Sequence, residues 1–304
     1  MTTTQHEADN KDVVRRYWDQ VWNEKQAGAV EQFVAPVHTI HLAGGQAHRP
    51  ASIQAWAAQA LTSFPDVHFT IDWMVAEDDV VASKWSYVAT HTGPFLGIAP
   101  TGRQVTDSGT TTVRLEDGKI AEMWVNQDSL GLLQQLGAVR SPGAGGWGEP
   151  EQPSAAAGEA GLTPSQNNDI AKRFFHAAWD EGDFAVLDEL LTSDSMDYST
   201  LHGEPEQGSE GFRQIIGMFR ASFPDIALTI DDEIFTGDRV VHRWTLRGTH
   251  TGAPFMGLPP AGTGIEFTGT TTVQMRDGKI AARWSNLDLL RLMQELGMVP
   301  PPPG

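Results

Sequence analysis

Apolar positions near the N-terminus recur at helical spacing. Val14, Tyr17, Trp18, Val21 and Trp22 fall at i, i+3, i+4, i+7 and i+8, which predicts an amphipathic helix from about Asn10 to Gln26. A second short helix follows to about Ala35, closed by Pro36, then a short strand over His38 to Leu42. Pro50 to Phe64 reads as a third helix, with Pro50 at its start and Pro65 beyond its end. Strand patterns then cover Val67 to Val75, Val80 to Thr90, Gln104 to Leu115 and Lys119 to Gln127. The last two are joined by Asp117-Gly118, a strong hairpin signal. A final helix is predicted from Asp128 to Leu136, stopped by Gly137. Helices followed by an antiparallel sheet indicate an α+β domain.

The same order occurs a second time. His91 to Gly137 and His250 to Gly297 share GTTTV, DGKIA, W-x-N-x-D and a closing Q-x-L-G, and lie roughly 159 residues apart. That spacing is too long for a solenoid period of about 20 to 50 residues and fits a small domain plus a linker. The second copy predicts helices at Ile170 to Glu181, Phe184 to Leu191 and Glu210 to Phe223. Its strands fall at Ala227 to Ile234, Arg239 to Thr249, Ile265 to Met275 and Lys279 to Leu287, and a last helix at Asp288 to Leu296. The expected organisation is domain 1 over 1–137, a Gly/Pro/Ala-rich linker over 138–165, domain 2 over 166–299 and a Pro-rich tail over 300–304.

Composition narrows the partners. The 304-residue chain carries a formal charge of −18, which disfavours nucleic acid and anionic membrane surfaces. With no cysteine it has neither disulfides nor a thiolate nucleophile. No apolar leader opens the sequence and no stretch approaches a transmembrane span, so a cytoplasmic location is expected.

Several motifs carry a family resemblance. Phe64-Pro65-Asp66 and Phe223-Pro224-Asp225 precede the first long strand, THTG-x-F-x-G-x-x-P runs from Thr90 to Pro100, and DGKI and L-x-x-Q-L-G follow. In this the chain resembles the SnoaL-like polyketide cyclases (ester cyclase-like). Their cone-shaped α+β fold is shared with scytalone dehydratase, ketosteroid isomerase and nuclear transport factor two. The resemblance implies two tandem cones, each a curved antiparallel sheet wrapped on N-terminal helices around a deep apolar pocket. It also implies ring closure of an aromatic polyketide by intramolecular aldol condensation, with no metal and no cofactor. In the family an aspartate on the last strand removes the carbon-bound proton, helped by a histidine on the strand before.

Aligned on DGKI, that aspartate falls at Val125 and Ser285, and the histidine at Thr111 and Thr271. None of the four can act as a general base near neutral pH. Asp128 and Asp288 are close by, but their place between strand and helix is that of an N-cap. Strand parity then places Ala121, Met123 and Val125 in the first pocket and Ala281, Arg283 and Ser285 in the second. Trp124 and Trp284 fall on the other face, where an aromatic must be covered. This suggests that the domains pack sheet to sheet as a covalent pseudo-dimer, with further homo-oligomerisation open.

The strand before the third helix offers His38 and His41 in one copy, and Asp197 with Tyr198 in the other. His38 and His41 point to opposite strand faces, which argues against a shared metal. Asp197, Tyr198 and Arg283 are candidates for a polar cluster in the second pocket. His91 and His250 enter the loop over the pocket mouth, where a histidine can polarise a substrate oxygen or hold the turn. The expected catalytic set is therefore His250, Asp197, Arg283 and His91. Tyr198, Ser285, Thr271, His38, Thr111, Met123 and Val125 are expected to line the pockets.

These features point to a cofactor-independent cyclase or isomerase of secondary metabolism, such as antibiotic biosynthesis, acting on a polyketide-like hydrophobic molecule. Pre-organisation in an apolar cavity would lower the barrier. The second domain is the expected seat of chemistry and the first mainly structural. The rivals are a non-catalytic carrier of a hydrophobic metabolite and an epoxide-hydrolase-like enzyme. The latter needs an Asp–Arg–Asp arrangement for which only Asp197 and Arg283 offer themselves.

Overall fold

A computed structural model describes residues 3–42, 46–48, 51–139, 161–198 and 206–299. Contacts divide the chain into two units, one through Ser141 and one from Pro142 to Val299. In the first, helix α1 (Thr3–Tyr17) continues into a π-helical segment, Trp18–Asn23. A 3-10 turn (Ala27–Ala29) and α2 (Val30–Phe33) follow, then β1 (Val34–Leu42), β2 (Gln46–His48) and α3 (Ala51–Ser63). The long strands are β3 (His68–Glu77), β4 (Val80–Thr90), β5 (Gln104–Glu116) and β6 (Lys119–Gln127), closed by α4 (Ser129–Leu136).

The second unit repeats this order. It runs through α5 (Pro164–Phe175), a π segment (His176–Glu181), α6 (Ala185–Leu190), β7 (Leu191–Asp197), β8 (Glu206–Gln207) and α7 (Ser209–Ser222). Strands β9 (Ala227–Thr236), β10 (Arg239–His250), β11 (Thr263–Arg276) and β12 (Lys279–Leu287) lead to α8 (Leu289–Glu295).

Each sheet has six strands, in the orders β2-β1-β6-β5-β4-β3 and β8-β7-β12-β11-β10-β9. The long strands pair antiparallel as expected, but β1 and β7 lie parallel to β6 and β12, so each sheet is mixed. Register shifts between Ile71 and Trp73 and between Arg114 and Leu115 bend the first sheet, the usual effect of an extra residue in one strand. The predicted stripe Val14, Tyr17, Trp18, Val21 and Trp22 is buried against the concave side.

Several boundaries differ from the sequence pattern, each for a physical reason. Pro36 lies inside β1, because the helix before it already ends at Phe33 and Pro36 falls in the irregular stretch between Val34 and Thr39, where the pairing with β6 is interrupted and a missing N–H is tolerated. The second unit begins within the expected linker, where Thr163 and Gln166 form a capping box with Pro164 at the first helical position. The rest of that linker, with Trp147, and the tail after Val299 fall outside the described residues. Asp128 and Asp288 are N-caps, accepting from the backbone N–H groups of Gly131 (2.9 Å) and Arg291 (3.0 Å).

Three repeated motifs are structural. Asp66 accepts from the backbone and hydroxyl of Thr90, and Asp225 does the same for Thr249. These bonds hold both carboxyls below their ordinary range. Gly93 and Gly252 bring the following loop onto the ends of α3 and α7, so close that a Cβ would overlap the Thr62 and Ala221 carbonyls. The glycine of GTTTV has the same kind of role. A Cβ at Gly109 or Gly269 would overlap the indole of Trp85 or Trp244, which lies across β5 or β11.

Candidate active site: one open chamber and one filled one

The concave side of the first sheet encloses a cavity of about 60 Å³ that opens to solvent. More than half of its lining residues are aromatic and none is charged. Trp18 and Trp22 come from the π segment and Trp56 from α3, while Phe69, Trp85 and Tyr87 come from the sheet. The rings contact one another: Trp22 meets Trp56 edge-on at 5.0 Å, and Trp85 stacks on Tyr87 at 6.0 Å with 10° between planes.

Polar atoms in this wall are few and placed. The Trp85 indole donates to the Thr111 hydroxyl at 2.9 Å. The Thr111 hydroxyl hydrogen has no acceptor among the described residues, so it is available to a ligand. Tyr17 is fully buried and its phenol is pushed up to about 12 by burial, opposed in part by the Trp22 indole. The Tyr87 hydroxyl donates to Asp107 Oδ2 at 3.3 Å, and burial together with the Asp107 charge raises the Tyr87 phenol well above its ordinary value. The sequence reading missed Tyr87 and Asp107. The signal available was that the paired positions in the second copy are Leu246 and Phe267.

Met123, Val125 and Thr111 line this chamber. His38 lies on the buried side of β1, but it is absent from the cavity wall, and its Nδ1 is 2.7 Å from the Ala35 carbonyl. His41 points the opposite way, stacked on Trp124 at 5.3 Å and 2.9 Å from Glu122.

The second chamber is nearly closed, with about 10 Å³ for water-sized centres. That is at the lower limit for one water molecule, about 10 to 15 Å³. Arg283 occupies it. Its guanidinium donates from Nε to Asp197 Oδ1 at 3.3 Å, pairs in charge with Oδ2 at 3.0 Å from Nη2, and lies 4.9 Å from the Phe212 ring centre. Both partners are almost wholly buried, at 3% and 1% side-chain exposure, so a substrate cannot reach them without displacing the pair. Thr271 and Ser285 are hydrogen-bonded to each other at 2.6 Å, and Thr271 also accepts from Trp244.

Other expected residues lie elsewhere. Tyr198 does not line the pocket: as the residue after Asp197 it faces the opposite side of the sheet, where it stacks on Trp284 at 5.3 Å. Trp124 and Trp284 are thus covered by a ring from their own unit, with Arg114 and Arg239 over them. His91 and His250 do not reach either cavity wall. His91 Nδ1 accepts from the Thr101 backbone and sits 3.0 Å from its hydroxyl, and the ring packs on Phe64. Burial pushes its pKa down, opposed by the Gly93 backbone. His250 donates from Nε2 to the Ala253 carbonyl at 3.1 Å and packs on Phe223. Both hold the loop. Of the two chambers, the first unit's is the more open.

Among the described residues no group of three metal-binding side chains comes together, and no helix is long and apolar enough to cross a membrane.

Comparison with known proteins agrees with this architecture. The model of the SnoaL-like polyketide cyclase family matches twice, at residues 12–136 and 169–296. Among solved structures, TsrD of Streptomyces laurentii is 30% identical over 45% of this chain and 99% of its own, with a TM-score of 0.41. IdmH of Streptomyces antibioticus is 32% identical over 43% and 99%, with a TM-score of 0.39. A SnoaL-like protein of Jannaschia sp. CCS1 is 24% identical over 44% and 94%, with a TM-score of 0.42. A search of the curated proteins returns no match. With the family's model fitting each half in turn, the chain belongs to the SnoaL-like polyketide cyclase family and carries its domain in tandem.

Proposed function

We propose that this protein is a cofactor-independent cyclase or isomerase that binds a flat, polyketide-like molecule in the first unit's chamber. The observation that carries the reading is the aromatic, uncharged wall of that chamber, with hydroxyls of Thr111 and Tyr87 set among the rings. Such a wall selects a ligand with extended π faces and a few carbonyl or hydroxyl oxygens. Holding a flexible chain in the folded shape of its cyclised product supplies part of the barrier reduction. The second unit, with its chamber filled by Arg283, serves the architecture.

The test is a tryptophan-fluorescence titration of the whole chain with emodin, a trihydroxylated anthraquinone. Saturable quenching is expected, because Trp18, Trp22, Trp56 and Trp85 line the site. Ala60→Trp, which fills the chamber, should abolish it. Quenching that survives this substitution would contradict the assignment. A carrier is the second reading, favoured by Val125 at the position of the family's base. Binding with no turnover of any ketone would select it.

A further inference from the structure

Tyr87, in the wall of the first chamber, is backed by an acid outside that wall, a pair that the second unit lacks. Tyr87 on β4 and Asp107 on β5 are direct cross-strand neighbours. The Tyr87 hydroxyl is 3.3 Å from Asp107 Oδ2, and the other carboxylate oxygen accepts from the Ser108 backbone N–H at 2.8 Å. Asp107 is only 7% exposed. The second unit builds the same cross-strand pair from Leu246 and Phe267, both buried. The fold therefore does not need a polar pair there. Replacing hydrocarbon with a carboxylate inside a core carries a desolvation cost and gains nothing for packing.

We propose that Tyr87 and Asp107 form a proton relay leading out of the first chamber, with Tyr87 in the wall taking the carbon-bound proton of a ketone substrate and Asp107 behind it. The relay stands in for the carboxylate that Val125 replaces, and it rests on the reading of this chamber as the substrate site. In the step, the C–H bond next to the carbonyl breaks and its proton passes to Tyr87 Oη. The Tyr87 O–H bond breaks at the same time and that proton passes to Asp107 Oδ2. The electron pair left on carbon delocalises onto the carbonyl oxygen as an enolate, and the Thr111 hydroxyl, on the same wall, can donate to it. Tyr87 never carries a net charge, which suits a phenol that its surroundings keep protonated. Trp85, stacked on Tyr87 and anchored to Thr111, fixes the ring.

The experiment follows exchange of the C1 protons of 2-tetralone, a bicyclic aromatic ketone, by NMR in D2O with the whole chain, and measures its binding by tryptophan quenching. The protein should accelerate exchange, and Ala60→Trp should remove the acceleration. Tyr87→Phe and Asp107→Asn should each reduce it by about 100-fold, the scale of one general acid–base contribution, while quenching persists. Each variant removes one end of the relay, so either suffices if the other fails to fold. Unchanged exchange in a folded variant that still binds would overturn the relay and leave the binding site standing. So would binding to the unaltered protein without exchange. Absence of binding would overturn both.

Discussion

The two chambers share a backbone and differ in a handful of side chains, all at matched positions. Ile40 and Met123 face each other across β1 and β6 in the first unit, and Asp197 and Arg283 face each other across β7 and β12 in the second. Above them Val125 becomes Ser285, which bonds Thr271. On the neighbouring strands Tyr87 and Asp107 become Leu246 and Phe267. The result is about 60 Å³ of open space in one unit and about 10 Å³ in the other. A guanidinium introduced into an apolar chamber must bring its own counter-charge, and the pair then fills the space it occupies. Cavity formation in this fold is decided by a few paired substitutions on a constant frame.

The largest effect that would break this contrast lies in the ion pair. Arg283→Met alone strands Asp197 without its partner in the interior and should destabilise the second unit by about 3–5 kcal/mol. Adding Asp197→Ile restores the first unit's apolar pair and should recover most of that loss in a urea unfolding curve. Equal instability of the single and double variants would show that the pair is not what closes the chamber.

A somewhat smaller effect comes from His242, which is buried beside Phe175 and bonded to Asn168 at 2.7 Å; its counterpart in the first unit is Ser83, the acceptor for Trp18. Burial lowers the His242 pKa to about 4, with Glu233 partly opposing. The unfolded chain takes up the proton first as pH falls, so the contribution is complete above about 6.5 and is lost on the way down to about 4. The shift corresponds to about 3 kcal/mol, which His242→Gln should remove from the pH dependence of stability. An unaltered pH profile in that variant would refute the assignment.

Smaller again, and equal in the two units, is the effect at the caps. Asp128→Ala and Asp288→Ala should each cost about 1 kcal/mol without touching ligand binding. A loss of binding in Asp128→Ala would give that carboxylate a part in the site.

The fold could be read from the sequence because its determinants are local and repeated. The i, i+3, i+4 stripe through Trp22, the Asp117-Gly118 turn and the caps at Asp128 and Asp288 each act within a few residues. Strands β4, β6 and β12 fall within a residue of their predicted ends. The parallel pairing of β1 with β6 could not be read, since it depends on contacts about eighty residues apart. The site was only half legible. Strand parity placed Met123, Val125 and Arg283 on the inner face, yet the same alternation carries Tyr198 away from Asp197. Whether a polar residue opens or fills a pocket depends on the volume opposite it, and register alone does not report volume. Tyr87 and Asp107 were hidden because each is ordinary in its own strand; only their pairing across β4 and β5, set against Leu246 and Phe267, marks them.

Calorimetric titration of the chain with emodin counts the sites directly. One site per chain is predicted, rising to two in the Asp197→Ile/Arg283→Met double variant and falling to none with Ala60→Trp. Two equal sites in the unaltered protein, or one that survives Ala60→Trp, would contradict the division between an open first chamber and a filled second one.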